Sequence, residues 1–289
     1  MIAVRLLALD LDGTILPEDR PISGRTRLAV GRARAAGVRV VLATGRMYRS
    51  ALPHVEALGL DGPVICYQGA YVRERPGPDG APGAILRHLT LPAGVARDAV
   101  RWARDHGLDP HVNRDDQLVM AVGDETAPDY ERHAGVGAQF VPDLATALDG
   151  PVTKVLAVGA TGLPARLLAT ARADFAGHAE VTVSHPDYLE FMAPGVHKGA
   201  ALHWLAERLG VPLTATMAIG DQFNDLEMLS MVGVGVAMAG APSEVRAAAD
   251  HVTGGIDEDG AAQAIERFVL DGGAARVHSR PPRGRPADA

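Results

Sequence analysis

Two carboxylates, Asp10 and Asp12, stand two residues apart at the end of an apolar run, Leu6-Leu7-Ala8-Leu9, and Gly13-Thr14 follows them. In extended backbone, residues i and i+2 point the same way. Both acids therefore project beyond the end of one strand. Converging carboxylates repel unless a cation or a shared proton intervenes, so the pair points to a metal ion and reactive chemistry. The bland alternative is a turn closing a strand, which uses the same residue types. A calcium loop would need a preceding helix and a Glu at its twelfth position, and that position is Pro21.

Three more groups sit where chemistry could use them. Thr44-Gly45-Arg46 follows the strand-like run 38–43, and a hydroxyl with backbone amides near a helix N-terminus is a ready anion site. An ordinary strand-to-helix turn would look the same. Lys198 opens a helical segment, where the helix dipole disfavours a cation unless an anion faces it. It and Lys154 are the only lysines among 28 basic residues. A compact ammonium fits beside a metal-bound anion where a planar guanidinium does not. Last, Gly220-Asp221 precedes Asn224 and Asp225. A helix beginning at Asp221 would turn all three polar groups to one side. Asp221 alone also reads as a helix cap.

The elements that must position these groups follow from periodicity. The apolar run before Asp10 predicts a strand buried on both faces. Helical spacing over 22–36, with Ser23 at its start and Gly37 as stop, precedes the strand 38–43. A helix from about 47 to 58 and a third strand at 64–67 complete a βαβαβ alternation, which predicts a parallel, doubly wound sheet. The rhythm then changes. Residues 71–75 and 84–89 predict a hairpin around a Pro/Gly loop, 92–106 an amphipathic helix, and strands are expected near His111 and at 117–122, 152–158, 180–183 and 188–192. From Lys198 the alternation returns, with a helix at 198–209 and strands at 215–219 and 232–237. The fold expected is α/β, a Rossmann-like core with an inserted α+β cap: core over 1–89 and 192–270, cap over 90–191. The Gly-, Pro- and Arg-bearing stretch 271–289 is expected to be a disordered tail.

Asp10-Leu11-Asp12-Gly13-Thr14, Thr44-Gly45-Arg46, Lys198 and Gly220-Asp221-Gln222-Phe223-Asn224-Asp225, in this order, resemble the four motifs of the haloacid dehalogenase-like phosphohydrolases. The insertion resembles the large α/β cap of the Cof-type branch, and the likeness spans about residues 4–270. Gln68-Gly69-Ala70 departs from that branch, which more often carries Asn-Gly there. The resemblance implies a phosphatase in which Asp10 attacks phosphorus to form an aspartyl phosphate and Asp12 serves as acid, then base. It implies Mg2+ held by Asp10, the Asp12 main-chain carbonyl and Asp221. Thr44, Gly45, Arg46 and Asn224 would contact the substrate. Lys198 would neutralise developing charge, and Asp225 would orient Lys198 and water near the metal. The cap would choose the substrate, with Lys154, His185 and Glu190 as candidate contacts.

Composition narrows the classes. The 289 residues carry a net charge of -7, which argues against a phosphate-backbone-binding surface and hence against a nucleic-acid partner. One cysteine, Cys66, excludes an internal disulfide, and its apolar surroundings suit a small buried hydrophobe. No apolar stretch is long enough to span a bilayer, and no signal-peptide pattern opens the chain, so a cytoplasmic location is expected. Gly233-Val234-Gly235 lacks the third glycine of a dinucleotide-binding loop, with Met238 in its place. The expected activity is Mg2+-dependent hydrolysis of a small phosphorylated metabolite, either a sugar phosphate or a phosphorylated cofactor precursor. A phosphomutase on the same scaffold and a non-catalytic phosphometabolite-binding protein are the alternatives. Oligomeric state is not legible.

Overall fold

The computed structural model describes residues 3–271. The expected disordered tail lies outside these residues, apart from Asp271. In chain order the first strands are β1 (Leu6–Leu9), β2 (Arg39–Leu42), β3 (Val64–Cys66), β4 (Tyr71–Arg73), β5 (Ile85–His88), β6 (Asp109–Arg114) and β7 (Gln117–Ala121). After them come β8 (Ala138–Val141), β9 (Val152–Val158), β10 (Glu180–His185), β11 (Tyr188–Met192), β12 (Thr216–Gly220), β13 (Val234–Ala237) and β14 (His251–Val252). The helices are α1 (Gly24–Ala35), α2 (Tyr48–Ala57), α3 (Ala93–Asp105), α4 (Ala127–Ala134) and α5 (Leu163–Asp174). They continue with α6 (Lys198–Arg208), α7 (Leu226–Met231), α8 (Ser243–Ala248) and α9 (Gly260–Ile265). These elements pack as two compact units. One takes in the chain up to Thr44, His54–Pro63 and the chain from Lys198 onward; the other is Gly45–Pro53 with Val64–His197.

The first unit is built on a parallel sheet of order β14-β13-β12-β1-β2. Every residue of β1 is buried, as a strand covered on both faces must be. The register pairs Leu9 with Ile219 on one side and with Leu42 on the other. Residues just past these positions therefore emerge together at the carboxyl edge, where open α/β sheets bind ligands. Helix α1 packs against β2 and α9 through Ala29, Val30 and Ala33. Its start is fixed by Ser23, whose hydroxyl accepts from the Thr26 amide at 3.0 Å.

The second unit holds a six-stranded sheet of order β10-β11-β9-β6-β7-β8. Strand alternation sorts its faces. Val112, Val155, Ala157, Leu189 and Phe191 enter an apolar core with Trp102 of α3 and Phe175, where Phe175 and Phe191 meet edge to face at 4.9 Å. Trp102 belongs to this core. The alternate positions His111, Asn113, Lys154 and Glu190 are polar and fully buried.

Strand β3 departs from the expected parallel alternation. It pairs antiparallel with β4 in a three-stranded sheet with β5. Tyr67 and Gln68, both at positive φ, turn the chain back on itself directly after Cys66, so the strand's own exit supplies its partner. No element is expected from the sequence at α4, β8 or β14. Strand β14 has two residues, and β8 is an edge strand with Gln139 and Phe140 exposed.

Candidate active site

At the carboxyl edge of the first unit's sheet, Asp10 follows β1 and its amide donates to the Ile219 carbonyl at 3.0 Å. Its carboxylate is buried. Lys198, in the first turn of α6, is completely buried and donates to Asp10 Oδ1 at 2.5 Å and to Asp225 Oδ1 at 2.7 Å. The unfavourable placement of a cation at a helix start is thus answered by two carboxylates. Asp225 Oδ2 accepts from the amides of Asp221 at 3.0 Å and Gln222 at 3.1 Å. One side chain therefore holds both the lysine and the backbone that carries Asp221.

The 221–225 segment is not the helix expected to begin at Asp221. A tight turn, Phe223–Asp225, precedes α7, because the Asp225 carboxylate captures the two amides ahead of it. Two glycines make the packing possible. A Cβ on Gly13, which also sits at φ +78°, would overlap the Asp221 carboxylate, and one on Gly220 would overlap that of Asp225. Thr14, not singled out from sequence, donates to Asp221 Oδ1 at 2.8 Å. Asp12 is half-buried two residues past Asp10, in an isolated bridge with Leu16, Thr44 is buried past the end of β2, and Asn224 lies half-buried on the turn.

The charges in this cluster are unbalanced. Oxygens of Asp10, Asp221 and Asp225 all lie within 4.8 Å of one another. Burial pushes the Asp10 carboxyl well up, and the neighbouring Asp225 and Asp221 add to this against the pull of Lys198. Burial and Asp225 push Asp221 up to about 6. Burial opposes the charge on Lys198, but Asp10 and Asp225 outweigh it and hold the ammonium above the usual lysine range. One buried ammonium against three carboxylates leaves a cluster that a divalent cation would neutralise. Its donors are hard oxygens, which suit Mg2+.

Gly45 and Arg46 belong to the second unit, and their backbone is held there. The Gly45 carbonyl accepts from Lys154 Nζ at 3.1 Å, the Arg46 carbonyl accepts from the Tyr67 amide at 3.0 Å, and the Arg46 guanidinium donates to Ser50 at 3.3 Å. Lys154 and Glu190, candidate contacts to a leaving group, are buried and bonded to protein. Lys154 Nζ reaches Glu190 Oε1 at 2.9 Å. Ser184 donates to Oε1 and Gln68 Nε2 to Oε2, each at 2.9 Å. His185 is partly exposed, 3.8 Å from Asp187. Cys66 is buried, and burial pushes its thiol well up, away from the reactive thiolate.

The chain is similar to known proteins along most of its length. The family model described as haloacid dehalogenase-like hydrolase matches residues 7–265. A Bacillus subtilis 5-amino-6-(5-phospho-D-ribitylamino)uracil phosphatase is 30% identical over 91% of this chain and 97% of its own. An HMP-PP phosphatase of Escherichia coli is 31% identical over 86% and 89%. The crystal structure of a haloacid dehalogenase-like hydrolase from Bacteroides thetaiotaomicron superposes with a TM-score of 0.79 at 30% identity, covering 91% of this chain and 99% of that one.

Proposed function

The chain belongs to the haloacid dehalogenase-like hydrolases, and from that premise we propose that it is a Mg2+-dependent phosphatase of small phosphomonoesters working through an aspartyl phosphate. The observation that carries the reading is the cluster in which Lys198 bridges Asp10 and Asp225 while Asp221 lies within 4.8 Å of both acids. Asp10, the Asp12 main-chain carbonyl and Asp221 would hold the metal. Mg2+ supplies positive charge to the phosphoryl oxygens and relieves the repulsion among the carboxylates.

In the proposed reaction an Asp10 carboxylate oxygen attacks phosphorus. The bond from phosphorus to the leaving oxygen breaks, and Asp12 gives that oxygen a proton. Asp12, now a carboxylate, takes a proton from water, whose oxygen attacks the aspartyl phosphate. The bond to Asp10 breaks, inorganic phosphate departs, and Asp10 and protonated Asp12 are restored. Lys198 stabilises the negative charge that gathers on the phosphoryl oxygens. Thr44, Gly45 and Asn224 bind those oxygens and fix the ester for in-line attack, and Arg46 contacts the rest of the substrate. Asp225 keeps Lys198 charged and aimed.

The named activities of the Bacillus and Escherichia relatives support a small phosphorylated metabolite as substrate. In this reading the insertion at 90–191 selects the leaving group, and the enzyme acts in the cytoplasm. Among the described residues no helix is long and apolar enough to cross a membrane. Phosphate release from a panel of phosphomonoesters, with Mg2+ and with chelator, tests the proposal. Mg2+-dependent release concentrated on a few esters is expected. Transfer of the phosphoryl group to a second hydroxyl without release would replace it with the mutase reading.

A further inference from the structure

Gly45, Arg46, Tyr48 and Arg49, in the segment that follows Thr44, are each tethered through the backbone, and two of the tethering side chains lie far along the chain. Lys154 Nζ donates to the Gly45 carbonyl at 3.1 Å. The Tyr67 amide donates to the Arg46 carbonyl at 3.0 Å. Asp116 accepts from the amides of Tyr48 at 2.9 Å and Arg49 at 3.1 Å, the first residues of α2. These are amides that a helix cannot satisfy from within. Asp116 thus caps α2 from a distance of 68 residues in sequence, and its charge suits that end of the helix dipole. Tyr67 closes the arrangement, because its hydroxyl donates to Asp116 Oδ1 at 2.8 Å.

The backbone is strained where these tethers originate. Asp115 and Asp116 form the two-residue turn of the β6–β7 hairpin with φ of +52° and +55°, a conformation that favours Asn-Gly or Asp-Gly. Tyr67 and Gln68 sit at +51° and +57°, which is an outlier for a bulky aromatic residue. Strain of this kind persists where surrounding contacts over-determine it, and here both strained pairs converge on the segment 45–49. The ammonium of Lys154 is itself anchored, by the buried Glu190 that Ser184 and Gln68 also hold. A Cβ on Gly45 would overlap the Gln68 amide, so Gln68 fits against the Gly45 backbone.

We propose that Asp116 and Lys154 are positioning residues that fix the backbone of Gly45 and Arg46 in the conformation that binds the phosphoryl group. The proposal rests on the reading of Thr44 and Gly45 as phosphoryl contacts. It also assigns Lys154 and Glu190 to the backbone of this turn instead of to the leaving group.

The test is the affinity for inorganic phosphate, by calorimetry with saturating Mg2+, together with KM, kcat and Mg2+ affinity. Asp116→Asn keeps the shape but loses one of the acceptors at the start of α2. It is expected to weaken phosphate binding and raise KM on the order of tenfold, with Mg2+ affinity unchanged. The paired replacement Lys154→Met with Glu190→Gln removes the second tether without stranding a charge, and the same shift is expected. It also decides the matter if Asp116→Asn does not fold. Val155→Ala, in the apolar core of the same unit, is the control that loses stability without touching the turn. Phosphate affinity at the wild-type value in the tether variants, or equally weakened in Val155→Ala, overturns the proposal. Thr44→Val separates the two levels. If it weakens phosphate binding while the tether variants do not, only the positioning role fails. If it and the tether variants all leave binding intact, the turn is not the phosphoryl site and the positioning role fails with that reading.

Discussion

Lys198 illustrates how much one side chain can carry. It is an ammonium with no solvent exposure and two carboxylates within hydrogen-bonding distance, a placement that is costly unless the charge has a use. Lys198→Ala is expected to lower kcat by at least about a hundredfold, equivalent to roughly 3 kcal/mol of transition-state stabilisation. Steady-state kinetics at saturating Mg2+ checks this, and a rate within a few-fold of wild type would remove Lys198 from the chemistry. The residue was legible in the sequence because lysine is so scarce in this chain. Asp10 and Asp12 were legible from their position at the end of an apolar run. Thr14 was not, since nothing in its local pattern announces a hydrogen bond to a residue 207 positions away. Asp116 was hidden for the same reason: its neighbours say hairpin turn, and only the tertiary structure brings it to α2.

At the scale of elements, the strand ends and their glycines set the geometry. Gly13→Ala would force a side chain into the Asp221 carboxylate and into a left-handed backbone conformation. The expected result is Mg2+ affinity reduced by about tenfold or more, with stability lowered by about 1–2 kcal/mol. Metal titration followed by phosphate release or calorimetry checks it. Ser23→Ala is the contrasting change. It removes the cap of α1, and it is expected to cost about 1 kcal/mol in a denaturant melt while leaving kcat and KM unchanged. The long strands and helices were readable because apolar period and capping residues agree along them. Strand β3 was misread because a three-residue strand has no period of its own. Its partner was decided by the left-handed pair Tyr67-Gln68, and such conformations are rarely signalled by residues of those types. Helix α4 and β8 fell in a polar stretch, where the few apolar residues of α4, Ala127, Tyr130 and Ala134, are buried on one side but stand among charged neighbours.

For the whole molecule, the carboxylate cluster links folding to pH and metal. Asp221 has a folded pKa raised from 3.8 to about 6, so its contribution to stability is complete below 3.8 and is lost as pH rises through about 6. Asp10 is shifted in the same direction. In chelator, the wild-type protein is therefore expected to lose about 3 kcal/mol of the Asp221 contribution across that window. Asp221→Asn should lack this loss. Thermal melts at about pH 5 and about pH 7, compared between the two proteins, sample the upper part of that window, roughly 1 kcal/mol of the loss. Added Mg2+ should restore the wild-type protein at the higher pH and do progressively less as protons compete for the site. A wild-type protein whose pH dependence in chelator matches that of Asp221→Asn would show that burial and Asp225 do not raise Asp221 as described.

The most direct test of the central claim is capture of the phosphorylated enzyme. A phosphomonoester labelled at phosphorus would be mixed with enzyme and Mg2+, and the reaction quenched in acid within a turnover. The predicted result is label on the peptide containing Asp10, removable by alkali, absent in chelator and absent from Asp10→Asn, which should also release no phosphate. Turnover by Asp10→Asn at the wild-type rate, or label captured on any other residue, would contradict the account.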